Sequence, residues 1–90
     1  MDHEQMAKMF KALAEPNRIK IIELLSMRPM CACEVLDHFD FTQPTLSHHM
    51  KVLESVGIVS VEKDRKWHYY FLKKEEASEL LKAMLDLFPN

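Results

Sequence analysis

Apolar residues recur along this chain with two periods. Up to Val56 they fall at helical spacing; beyond Gly57 they alternate through residues 58–72; from Ala77 the helical spacing returns. The most regular stretch is 41–57, Phe-Thr-Gln-Pro-Thr-Leu-Ser-His-His-Met-Lys-Val-Leu-Glu-Ser-Val-Gly. At 100° per residue, Leu46, Met50 and Leu53 form one narrow stripe, with His49 and Val56 on its flank. Pro44, Ser47, His48, Lys51 and Ser55 point the other way. Thr42 is a natural N-cap whose hydroxyl can accept from a first-turn amide. Pro44 lies where a missing N–H costs little, and Gly57 where a left-handed C-cap is cheapest. The spacing predicts a helix over 42–56.

Upstream, residues 2–14 predict an amphipathic helix capped by Asp2, with Met6, Met9, Phe10 and Leu13 as its stripe. Glu15-Pro16 ends it, because a residue before proline is pushed out of the helical region. Residues 16–27 carry Ile19, Ile21, Ile22, Leu24 and Leu25 around most of the circumference, which predicts a central, buried helix. After the break at Arg28-Pro29, a short helix is expected at 32–39, with Val35, Leu36 and Phe39 facing inward. Asp40-Phe41 is a tight connection into the Thr42 helix, and the trio reads as a helix-turn-helix.

Past Gly57, Ile58, Ser60 and Glu62 alternate with Val59, Val61 and Lys63. The chain turns at Asp64-Arg65 and continues through the aromatic-rich 66–72, which predicts a hairpin with a charged tip, the wing at 58–72. Residues 74–88 predict a last helix, with Ala77, Leu80, Leu81, Met84, Leu85 and Phe88 as its stripe. The fold class expected is mainly α with a small β-hairpin: one winged helix-turn-helix domain over 1–90. The two terminal helices hold more apolar surface than so small a core absorbs, which predicts a two-fold homodimer through them.

Composition sharpens this picture. A single glycine in 90 residues argues against the many tight turns of an all-β design. No apolar run reaches membrane-spanning length, and the Met-Asp-His-Glu start lacks the basic and apolar parts of a signal peptide. A cytoplasmic protein with no membrane partner is expected. The net charge of −2 divides unevenly: residues 41–74 hold six basic groups against three acids, +3, which leaves −5 on the remainder. One phosphate-facing surface on an acidic body follows.

The outer face of the 42–56 helix offers hydrogen-bonding groups where a solvated face usually carries ion pairs. Gln43, Thr45, Ser47, His48 and Lys51 are the candidate contacts to the major groove and its phosphates, with Lys63, Arg65 and Lys66 acting through the wing. A two-fold dimer on double-stranded operator DNA implies an imperfect palindrome with half-sites about one helical turn apart.

Cys31 and Cys33 are expected as reduced thiols in a cytoplasmic protein. Soft thiolates select As(III), Sb(III), Cu(I), Cd(II) or Zn(II). In a regular helix the two would lie 200° apart and could not reach one ion. Either Cys31 sits outside the helix start, or ligand binding unwinds the first turn. Folding requires no cofactor. Other polar residues have structural readings: His38 at the surface, His49 packed or hydrogen-bonded within the fold, His68 a packing residue or a phosphate contact. No nucleophile, base and orienting group form a set, so an enzyme is not expected.

Several motifs occur together in one order: Phe10-Lys-Ala-Leu-Ala-Glu-Pro-Asn-Arg-Ile-Lys-Ile-Ile-Glu-Leu-Leu25, Met30-Cys-Ala-Cys-Glu34, Gln43-Pro-Thr-Leu-Ser-His-His-Met-Lys51 and Trp67-His-Tyr-Tyr70. From Phe10 to Leu72 the chain strongly resembles the ArsR-type family of small metal-responsive bacterial repressors. Within that family it is most similar to the arsenical-resistance repressors. The resemblance implies a homodimer that occludes a resistance-operon promoter and lets go when As(III) or Sb(III) binds Cys31 and Cys33. Three departures stand out. The third cysteine of many arsenic-sensing members is Leu36 here, and the N-terminal cysteines of cadmium- and lead-sensing relatives are missing. The last helix has Glu75, Glu76, Glu79 and Asp86, but no histidine of the zinc-sensing type. A different soft-metal inducer (Cd, Zn or Cu), a thiol redox switch, or no inducer at all remain the alternatives.

Overall fold

A computed structural model describes residues 1–89. The chain runs α1 (His3–Leu13), α2 (Pro16–Met27), β1 (Met30–Cys31), α3 (Ala32–Leu36), α4 (Gln43–Ser55), β2 (Val59–Asp64), β3 (Trp67–Leu72) and α5 (Lys74–Leu87). The helix-turn-helix and wing expected from the periodicities are therefore present. One element was not expected. Met30 and Cys31 pair antiparallel with Tyr70 and Tyr69, so the hairpin is two strands of a three-stranded sheet ordered β1-β3-β2. Two residues are too few to show a period.

The helix ends follow from their residues. Asp2 accepts from the Gln5 amide at 2.7 Å while Gln5 returns a bond to the Asp2 amide, a reciprocal capping box. Glu15 caps α2 through the Arg18 amide, and Pro16 supplies the first turn. At α4 the expected Thr42 hydroxyl cap does not form. Proline occupies the second helical position and has no N–H to give, and the Thr42 hydroxyl instead meets the Thr45 hydroxyl at 3.4 Å.

The core is built on the α4 stripe. Leu46, Met50 and Leu53 are fully enclosed with Ile21 of α2 and Val35 of α3, and Leu24, Leu25, Ile58, Val59, Tyr70 and Leu80 close around them. Truncating a side chain of this kind typically costs about 2–5 kcal/mol. The expectation that α2 is buried around most of its circumference needs correction, and the apolar stripes of the terminal helices are only partly covered. On α1 the buried third position is Ala12, and Phe10 is exposed, because α2 and α4 approach α1 on its Met6-Met9-Ala12 side. On α2, Ile19 and Met27 face solvent while Ile21, Leu24 and Leu25 are buried. On α5 only Leu80 is buried; Leu81, Leu85 and Phe88 are 60, 65 and 76% exposed.

Two residues adopt positive φ. Gly57 (φ +79°) follows α4 and donates its amide to the Glu54 carbonyl at 2.9 Å, turning the chain into the wing. An added Cβ there would meet nothing within 4 Å, so a substitution acts through backbone strain alone. The Gly57→Ala variant should lose about 1–2 kcal/mol in urea unfolding, with Gly57→Asn losing less. Equal stability of all three would show that the turn relaxes without cost.

Candidate nucleic-acid interface and cysteine site

Burial of the Leu46-Met50-Leu53 stripe fixes which face of α4 is free. Gln43, Thr45, His48 and Lys51 are exposed on it and Ser47 is half-buried. In the wing, Lys63, Arg65 and Lys66 are exposed. Among the described residues none of these lysines, nor Arg65, pairs with a carboxylate; the ion pairs lie elsewhere, at Arg28–Glu34 and Glu15–His49. The strand register pairs Asp64 with Trp67. The loop is thus Arg65-Lys66, one residue later than the expected Asp64-Arg65 turn, and Lys66 lies in the loop rather than in the second strand. Arg65 has φ +56°, a conformation that usually falls to glycine or asparagine.

Cys31 stands at the junction of β1 and α3. It is held extended (φ −74°, ψ 161°) by its pairing with Tyr69 and serves as the N-cap of α3, with Cys33 two residues into the helix. Of the two ways sequence left for the sulfurs to meet, the structure therefore has the first: Cys31 lies outside the helix, and no turn has to unwind. The sulfurs are in bonding contact as a disulfide, with Cα atoms 5.4 Å apart. This departs from the expected reduced thiols; the extended Cys31 backbone swings its side chain onto that of Cys33. Cys31 is buried and Cys33 exposed.

Glu34 anchors this junction. Its carboxylate accepts the Cys31 amide at 3.2 Å and the Arg28 guanidinium at 2.6 Å. The Arg28 bond first, and then the Cys31 amide, hold the Glu34 carboxyl below the usual carboxylate range. Cys31, Ala32 and Cys33 form one wall of a cleft of about 230 Å³. Its other walls are Gln43, the first residue of α4, and Lys66, Trp67 and His68 of the wing. The cysteine pair and two of the candidate DNA contacts thus share one space. Sequence had pointed to the cysteines and to those contacts separately. What joins them is the β1–β3 pairing, and Trp67 enters the site only through it.

On the inner edge of α4, His49 is buried, as expected, and bonded within the fold: its Nδ1 lies 3.2 Å from Arg18 Nη1. Burial first, then the Arg18 and His48 charges, push its pKa down against the opposing Glu15 carboxylate. Arg18 had no signal in sequence, since its partner lies 31 positions away. His38 and His68 are at the surface, as Glu75 and Glu79 are. Among the described residues no three His, Cys, Asp or Glu side chains converge on a metal-sized point.

Residues 15–61, half of the chain, match the bacterial regulatory proteins of the arsR family. The chain belongs to that family. An arsenical resistance operon repressor of Staphylococcus xylosus is 43% identical over 75 residues, covering 83% of this chain and 72% of that one. A CadC homolog of Staphylococcus aureus, a cadmium resistance transcriptional regulatory protein, is 38% identical over 82 residues, 89% of this chain and 68% of its own. Among solved structures, an ArsR family transcriptional regulator superposes with a TM-score of 0.86 at 28% identity, covering 96% of this chain and 88% of that one. ArsR-family winged-helix architecture and a role in transcriptional regulation are therefore established for this chain.

The wing tip offers a clean separation of fold from function. Arg65→Gly relieves a positive φ and should leave urea stability unchanged or raise it by up to about 1 kcal/mol. The same change should weaken DNA binding severalfold. DNA affinity equal to that of the parent would remove Arg65 from the interface.

Proposed function

We propose that this ArsR-family chain is a dimeric, cytoplasmic repressor that reads an imperfect palindrome through α4 and the wing and releases it when a thiophilic metalloid, As(III) or Sb(III), binds Cys31 and Cys33. The observation that carries the reading is the shared cleft: Cys31 and Cys33 face Gln43 and Lys66 across one small space. Anything bound by the sulfurs lies against the first residue of α4 and the tip of the wing.

In DNA binding, Gln43, Thr45, Ser47 and His48 would face base edges in the major groove, and Lys51, Lys63, Arg65 and Lys66 the phosphates. The polar α4 face and the unpaired cations support this division. The exposed apolar residues Phe10, Leu81, Met84, Leu85 and Phe88 of the terminal helices support dimerisation through α1 and α5. Two copies related by a two-fold axis would present two α4 helices to successive major grooves.

For the inducer, the donor set fits a soft centre. With sulfur bonds near 2.3 Å, a bidentate chelate needs the reduced sulfurs roughly 3.4 Å apart, a small opening from their present contact. Arsenous acid would exchange two hydroxyls for the two thiols, whose protons leave with those hydroxyls as two waters, and keep one hydroxyl as third substituent. In the cleft that substituent would lie between α4 and the wing. Leu36 stands where a third cysteine would be, so the chain supplies two thiols and no more.

One observation favours a second reading. The sulfurs are disulfide-bonded, so a peroxide could use the pair as a redox switch, taking two thiols to a disulfide while being reduced to two waters.

Anisotropy of a labelled duplex, recovered by binding selection from a randomised pool, tests both. Lys51→Ala should weaken binding to all sequences and reduce the slope of log affinity against log salt by about one. With dithiol-reduced protein, As(III) should release DNA; Cys31→Ser and Cys33→Ser should bind DNA yet ignore As(III). Release by peroxide but not by As(III) selects the redox reading. No release by either, or serine variants that respond as the parent does, would remove the cysteines from regulation.

A further inference from the structure

The inner edge of α4 carries a feature that DNA contact and the cysteines leave unused. His49 is the one buried histidine among the described residues, and Arg18 holds it. A guanidinium offers donors only, so His49 Nδ1 must accept, which makes the ring neutral with its hydrogen on Nε2. The same Arg18 donates through Nε to the Ala12 carbonyl at 2.6 Å, in the last turn of α1. Its own amide is bonded to the Glu15 carboxylate at the start of α2. One guanidinium thus links α1, α2 and α4. Phe41 seats the other side of the ring, its centroid 5.4 Å from that of His49, and is itself stacked on Phe39 at 4.6 Å.

His49 is adjacent to His48 on the proposed reading face, so any rotation of α4 that frees His49 also turns that face. Resting on α4 as the DNA-reading helix, we propose that Arg18 and His49 are positioning residues for recognition: the neutral imidazole held by Arg18 sets the rotation of α4, and proton uptake at His49 releases the helix from the α1–α2 elbow and weakens DNA binding. A protonated ring would aim an N–H at a guanidinium 3.2 Å away, donor against donor and cation against cation.

The groups facing the ring decide the sign. Arg18 of α2 and His48 of α4 oppose a proton, and the Glu15 carboxylate, 4.0 Å from Nδ1, favours one; Phe41 and the α1 carbonyl held by Arg18 bring no charge. Burial outweighs the Glu15 attraction, so the folded chain keeps the ring neutral to lower pH than the unfolded chain does. A histidine so shifted contributes its full share of stability above the ordinary imidazole value, near 6.5, and loses it as pH falls from there toward the lowered folded value. His48, exposed on the proposed DNA-facing side of α4, is a second imidazole whose contribution has to be removed.

The test is therefore run with His48→Gln as the background. Affinity for the selected duplex is measured by anisotropy from pH 8 to 5.5 at fixed ionic strength. His48→Gln should lose about fivefold between pH 7.5 and 5.5. The double variant His48→Gln/His49→Gln, whose amide oxygen still accepts from Arg18, should be flat, and Arg18→Met should bind weakly across the range. An equally steep acid loss in the double variant overturns the proposal. Should that variant fail to fold, imidazole 15N titration of the parent decides, because DNA that requires the neutral ring must lower the His49 pKa further on binding. Equal values free and bound also overturn it. Lys51→Ala, run alongside, separates the two claims: unchanged affinity in that variant removes α4 as the reading helix, whatever the pH profiles show.

Discussion

Two backbone pairings, Met30 with Tyr70 and Cys31 with Tyr69, determine how the parts of this molecule meet. They hold the chain extended at the one point where it leaves α2 and enters α3. That brings the start of α3 against the second wing strand and lets Cys31 and Cys33, two residues apart, face one another. Without this strand the cysteines would lie on opposite sides of a short helix, and the wing would be a two-stranded hairpin tied to the body only through the core residues Ile58, Val59 and Tyr70. Glu34 reinforces the junction through the Cys31 amide, and the buried Tyr70 fastens β3 to the core.

From this constraint the functional geometry follows in steps. The enclosed Leu46-Met50-Leu53 stripe turns the polar face of α4 outward. The β1–β3 pairing sets the wing beside the first turn of that helix, and the cleft between them is walled by the cysteines. In the proposed mechanism the inducer acts at short range, in the space flanked by Gln43 and Lys66. The Arg18–His49 contact lies on the buried side of α4, six residues after Gln43. Helix α4 is thus flanked by the cysteine pair near its start and by the Arg18–His49 contact further along its length.

Much of the fold was legible because it rests on local periods. The α4 stripe, the Asp2 cap, the Glu15-Pro16 break and the change to alternation after Gly57 each follow from neighbouring residues. The family was legible through Cys-Ala-Cys, the recognition-helix motif and the wing motif in one order. What escaped depends on partners distant in sequence. A two-residue strand has no period, Arg18 and His49 are 31 positions apart, and whether Phe10 or Ala12 is buried on α1 depends on how α2 and α4 approach it. Residues two apart in a regular helix cannot meet, and it is the pairing of Cys31 with Tyr69, far along the chain, that takes Cys31 out of the helix. The Thr42 cap failed for a reason already visible in sequence, since Pro44 removes one of the two amides that such a hydroxyl can bond.

The central claim is that a ligand at the cysteines reaches the DNA-reading parts through the strand junction. Amide hydrogen exchange of the reduced protein, with and without As(III), tests it most directly. Exchange should change at residues 30–36, in the first turn of α4 and at 66–70, and remain as it was across α2 and the second half of α4. DNA release by As(III) with no change in exchange at those three segments would contradict the account.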